Sequence, residues 1–73
     1  MFGTANTFTH EQTTGASTWV VNHNLGVKAP IVDIWLDVEG ETLKVIPDRV
    51  EYVNINTCNV YFTNNQIGTA IVA

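Results

Sequence analysis

This 73-residue chain holds a single cysteine, Cys58, so no internal disulfide can staple it. Its two histidines, His10 and His23, have no Cys or His neighbours at zinc-like spacing, so no metal site is expected. Basic residues are equally scarce. Lys28, Lys44 and Arg49 stand against seven acids, for a formal net charge of -4, and they form no patch. Binding to nucleic acid through phosphates is therefore not expected. No apolar run is long enough to span a bilayer, so membrane insertion is not expected either. Phe2-Gly3-Thr4 offers neither the basic leader nor the apolar core of a signal peptide. A helical period of 3.6 is nowhere sustained over three turns.

Charged residues make up 14% of the chain, against roughly a quarter in average soluble proteins. A surface so poor in charge and rich in Thr and Asn costs less to desolvate, which suits burial in an assembly. The hydrophobic share of 45% is ample for a packed core and far above that of a disordered tail. Residues 1–73 read as one domain, small enough that a core alone is usually insufficient. With disulfide and metal set aside, contact with copies of itself or with a larger assembly is the expected supplement.

The chain is organised around Trp19 to Val38, two apolar runs joined by Asn22-His23-Asn24-Leu25-Gly26. Asn and Gly tolerate positive φ, and Asn can bond its own backbone, so this segment can re-aim the chain between strands. Pro30 is expected to start the second run from an extended approach. Ahead of it, Met1 to Gln12 reads as an extended segment, with Phe2 either a frayed end or a plug into a neighbouring subunit. Thr13 to Ser17 reads as a small-residue turn. Trp19 and Val21 share one face of the strand Thr18 to Asn22, and Trp19 is the largest core candidate.

From Ile31 to Val38, successive side chains alternate. Val32, Ile34, Leu36 and Val38 form the core face, which puts Asp33, Trp35 and Asp37 outside. Glu39-Gly40 signals a hairpin into Glu41 to Ile46. After Pro47-Asp48, Arg49 to Ile55 forms a strand whose Val50 and Tyr52 share a face. Beyond the next turn, Cys58, Val60 and Phe62 oppose Asn59 and Tyr61, and Cys58 reads as a buried small hydrophobe. Asn64-Asn65 closes that strand before a last one from Gly68 to Ala73. The fold expected is a compact antiparallel β-sandwich of about six to seven short strands.

Thr9-His10-x-Gln12, Thr18-Trp19-Val20-Val21-x-His23-Asn24-Leu25-Gly26, Pro30-x-Val32, Ile46-Pro47-Asp48-x-Val50-Glu51-Tyr52-Val53, Asn56-Thr57-x-x-Val60-x-Phe62 and Gly68-Thr69-Ala70 occur in that order. Together they resemble a small β-sandwich module of tailed-bacteriophage tail fibre, baseplate and other virion appendage proteins. The similarity spans nearly the whole chain and is most specific in W-x-x-x-H-N-L-G followed by proline. It implies a non-enzymatic virion component, made in the host cytoplasm, that binds other virion proteins and forms homo-oligomers. Because the module runs from Met1 to Ala73, a free-standing small protein is expected. Trp35 departs from the pattern, where a smaller β-branched residue is expected.

No catalytic residue and no cofactor-binding residue is expected. Asp33 and Asp37, at i and i+4 on a strand, stand roughly 13 Å apart by strand rise. Paired glycosidase carboxylates need about 5 to 9.5 Å. Trp35, Asp33, Asp37, Tyr61 and Asn59 are the expected partner-binding residues. They fit a protein interface, where aromatics are enriched. The lesser alternatives are a host-surface glycan stacked on Trp35 with Tyr61 beside it, and an ordinary partly exposed tryptophan at the core edge. A capsid decoration role and a lectin-like role stand as alternatives to a tail, baseplate or fibre-associated one. Trp19, His23, Asn24, Leu25, Gly26 and Pro30 are expected to be structural.

Overall fold

The computed structural model describes residues 7–73, so the plug expected at Phe2 and the first six residues of the extended segment expected at Met1 to Gln12 lie outside the described residues. Five strands build the fold: β1 (Phe8–Asn22), β2 (Val32–Val38), β3 (Glu41–Val45), β4 (Arg49–Asn54) and β5 (Thr57–Val72). All pairings are antiparallel and belong to one sheet in the order β1-β5-β2-β3, with β4 also on β5. The described residues contain no helix.

Five strands replace the six or seven expected, because two expected turns are strand interior. Thr13 to Ser17 continues β1, and Asn64-Asn65 continues β5. The two irregular stretches face each other across one ladder. Ala16 pairs with Gln66, and the register shifts on either side of it. Small and polar residues there do end regular pairing locally, as a bulge does, but the partner strand bends in step and the ladder resumes.

The bend is large. His10 and Trp19 are nine residues apart on β1, which a straight strand would spread over about 30 Å. Their ring centroids lie 6.0 Å apart. The sheet therefore folds over its own core, with the first half of β1, the second half of β5, β2 and β3 on one side. The second half of β1, the first half of β5 and β4 lie on the other.

The two halves share one cluster. Trp19, Val21, Cys58 and Val60 come from one half; Ile34, Leu36, Ala70 and Val72 come from the other. All eight follow the strand alternation. Trp19 is completely enclosed and packs at 4.9 Å between ring centroids against Phe62. Its indole N–H donates to the carbonyls of Ala16 and Gln66 at 3.1 and 3.3 Å. The largest core side chain thus also ties the two bends together.

Val38 pairs with Glu41 across Glu39-Gly40, whose φ values are +49° and +83°. Two positive φ values in a two-residue loop mark the mirror-image turn that matches strand twist. At the other end of the molecule, the segment after β1 docks on the β4–β5 turn. Asn24 N–H donates to the Asn56 carbonyl at 3.1 Å, and Val27 N–H to the Ile55 carbonyl at 2.9 Å. Gly26 N–H donates to Asn56 Oδ1 at 3.1 Å. The approach to Pro30 is not extended, since Ala29 has φ +57°. The chain is held at Val27 and again at Ile31, which exchanges two backbone hydrogen bonds with Ala73, and it must reverse between these anchors.

Candidate functional site

Trp35 sits mid-strand on β2, half-buried, between Thr69 of β5 and Lys44 of β3. Thr69 in turn faces Glu11 of β1 and donates its hydroxyl to that carboxylate at 3.0 Å. A row Glu11, Thr69, Trp35, Lys44 therefore crosses the outer face of one half of the sheet. Asp33 and Asp37 flank Trp35 on the same strand. Asp33 stands 3.6 Å from the Lys44 ammonium in an exposed ion pair of little energetic weight. Asp37 accepts from the Thr42 hydroxyl at 3.1 Å. Both carboxylates thus have neighbours, and the indole shares the patch with Ile71, which pairs with Asp33 and is 36% exposed.

Tyr61 and Asn59 lie elsewhere. Tyr61 pairs with Thr18 of β1 and Arg49 of β4, and shares no neighbouring residue with Trp35. It occupies the outer face of the opposite half of the sheet, with the core between the two aromatics. There the Arg49 guanidinium stacks 4.2 Å from the Tyr61 ring centroid, an attractive cation–ring contact. Tyr61 Oη–H donates to Glu51 Oε1 at 2.6 Å, and Asn59 Nδ2 donates to the same oxygen at 3.3 Å. The Tyr61 hydrogen bond, then that of Asn59, hold the Glu51 carboxyl below the usual glutamate range against an opposing effect of desolvation, with a lesser contribution from the charge of Arg49. Asn59 Oδ1 is buried with no partner among the described residues.

Of the remaining residues expected to be structural, His23 is 2% exposed, and its Nδ1 accepts from Leu25 N–H at 3.1 Å. Its proton therefore sits on Nε2, an atom buried without a partner among the described residues. Asn24 and Gly26 adopt φ of +54° and +67° within the turn. Leu25 packs against the core, and Pro30 is half-buried. Cys58 is enclosed, and burial pushes its thiol pKa up. Among the described residues no group of three or more His, Cys, Asp or Glu could hold a metal ion.

A third surface was not anticipated from the sequence. Val50 and Tyr52 of β4 face inward, opposite Val60 and Cys58, yet they remain 41% and 43% exposed. On the other half, Leu43 of β3 faces inward opposite Leu36 and is 43% exposed. The apolar face continues from the core onto the edge strands β3 and β4 and there meets solvent. An open cleft of about 340 Å³ lies beside it, lined mainly by Val32, Ile34, Val45, Ile46, Pro47 and Val50. Alternation assigned these side chains to the inner face; only neighbouring strands could have covered them. Comparison with family models, with curated proteins and with solved structures found no match.

Proposed function

We propose that this chain is a non-enzymatic structural protein of a tailed-bacteriophage virion, a tail, baseplate or fibre-associated component that binds other virion proteins and copies of itself. The virion context rests on the W-x-x-x-H-N-L-G…P resemblance. The observation that carries the binding role is the inward apolar face left open on β3 and β4, where Leu43, Val50 and Tyr52 each keep about two-fifths of their surface in water. Apolar surface contiguous with a core gains most from being covered by another protein. Stable occupancy in purified particles, read by quantitative mass spectrometry and immunogold labelling, is the expected result. Absence of the chain from purified virions would refute the reading, and label on the head lattice would favour capsid decoration.

The half-buried Trp35 on its row with Glu11, Thr69 and Lys44 favours a second reading, a lectin-like contact with host glycans. An indole stacks on the apolar face of a sugar ring while neighbouring carboxylates and hydroxyls take its hydroxyl groups. Because Tyr61 lies on the other half of the sheet, such a platform has one aromatic wall. A structural role predicts silence on a glycan array. A receptor role predicts that the isolated protein blocks adsorption and that Trp35→Ala abolishes the block without loss of folding.

A further inference from the structure

Among the described residues three strands are paired on one side only, β1 with β5, β3 with β2 and β4 with β5, so each presents a row of backbone donors and acceptors outward. The inward side chains of β1 are covered, whereas those of β3 and β4 include Leu43, Val50 and Tyr52, so the two edges at which the core is open are those of β3 and β4. Such edges are templates for another strand, and proteins ordinarily blunt them with charge. Both edges here carry charge, Glu41 and Lys44 on β3, Arg49 and Glu51 on β4. Whether those charges block or select a partner depends on register.

We propose that the occupant of each edge is a second copy of this chain, with β3 of one copy pairing antiparallel to β4 of the next. Inner faces stay in register only if Leu43 and Val45 lie opposite even-numbered residues of β4, since a one-residue slip turns every side chain to the wrong face. Three registers then compete. In the first, Val45 faces Val50, Lys44 faces Glu51 and Leu43 faces Tyr52, up to the register shift of β4 between Tyr52 and Asn54. The two exposed apolar rows meet, and the one cross-strand charge pair is attractive. Slipping two residues one way sets Lys44 against Arg49 and Val45 against Asp48. Slipping two the other way sets Val45 against Tyr52, carries Lys44 past Glu51 into the irregular stretch between Tyr52 and Asn54, and leaves it without a charge partner.

Pairing β3 with itself offers no opposite charges: centring on Leu43 sets Thr42 against Lys44, and centring on Lys44 sets it against itself. Pairing β4 with itself about Val50 does match Arg49 with Glu51, but it sets Tyr52 against Asp48 and leaves β3 open. Of these pairings only the β3–β4 register satisfies the edges of both β3 and β4. It buries Leu43, Val50 and Tyr52, the side chains at which the core is open. A contact between different surfaces is head-to-tail, so it propagates into a ring or a filament, the geometry of a repeated virion part. The inference deepens the assembly role proposed above, yet it is tested on the purified chain alone. Its failure would leave particle occupancy unaffected, and absence from particles would leave edge pairing in solution unaffected.

The experiment is light scattering coupled to size exclusion over a concentration series of the full chain, with a charge-reversal cycle. The wild type is expected to self-associate. Lys44→Glu and Glu51→Lys should each weaken association about tenfold or more, by setting like charges opposite one another. The double variant, and an equimolar mixture of the two singles, should restore it. Circular dichroism and the thermal transition of each single establish that it folds, and recovery in the mixture is possible only for folded chains. Amide hydrogen exchange should show protection gained on association at Glu41–Val45 and Arg49–Asn54. A wild type that stays monomeric throughout, a Lys44→Glu variant that associates normally, or singles that fail to recover when mixed would each overturn the proposal.

Discussion

His10 and Trp19 lie on one strand, nine residues apart, with ring centroids separated by 6.0 Å. Only a strand folded back over its own core can bring them so close, and Trp19 is what the fold closes upon. Trp19→Ala removes the completely enclosed side chain and its hydrogen bonds to both bends. The expected loss is roughly 3 to 5 kcal/mol, enough to unfold most of a population of so small a domain. Urea denaturation followed by circular dichroism measures it. A loss below about 1 kcal/mol would mean that the indole is not the keystone described.

Gly68 is expected to tolerate no side chain. It lies at φ +157° between Gln12 of β1 and Leu36 of β2, and a Cβ there would run into the Trp35 carbonyl oxygen and stand 2.9 Å from Leu36 Cα. Backbone on a paired strand cannot yield as the tip of a flexible side chain can. Gly68→Ala should therefore cost about 3 kcal/mol or more, whereas Gly15→Ala, whose added methyl would make ordinary contacts near 3.6 Å, should be close to neutral. Equal midpoints for the two variants in the same denaturant titration would contradict the packing at Gly68.

Glu39 holds φ +49° at the first loop position of the β2–β3 hairpin, a conformation that Asn adopts more readily than Glu. Glu39→Asn should raise stability by about 0.5 to 1 kcal/mol, seen as a higher denaturant midpoint with an unchanged slope. The side chain is exposed, so little else changes. A lowered midpoint would indicate a different turn.

Acid should act on the face of β4. The Glu51 carboxyl lies below its ordinary value chiefly through the Tyr61 hydroxyl, then Asn59 and Arg49. A group whose folded pKa is depressed contributes stability that is present above its unfolded pKa and is lost as pH falls through the folded one. The thermal midpoint should therefore drop as pH falls below about 4.5, and Glu51→Gln should make the drop shallower. Parallel profiles for the two proteins would show that this exposed network has no bearing on stability.

Much of the architecture was legible in sequence because alternation is a local signal. It put Trp19, Val21, Ile34, Leu36, Cys58 and Val60 on inner faces, and Glu39-Gly40 announced its hairpin through turn chemistry. The same local signals misjudged strand number. Thr13 to Ser17 and Asn64-Asn65 have turn-like composition, but whether such a stretch ends a strand depends on what lies across the ladder, and Ala16 lies across from Gln66. Trp35 and Tyr61 were likewise grouped because each points away from the core side of its own strand. Parity says which side of a strand a residue occupies, whereas a bend decides which way that side faces.

The sequence by itself determined an antiparallel all-β chain, the inward parity of its apolar residues and the turn at Glu39-Gly40, because these follow from side-chain period and backbone preference within a few residues. Tertiary structure alone decided that one sheet folds over Trp19, that Trp35 and Tyr61 part company, and that Leu43, Val50 and Tyr52 face the core without cover. Those outcomes depend on which strands become neighbours and which stay at an edge, and pairing between distant segments leaves no mark on the local pattern.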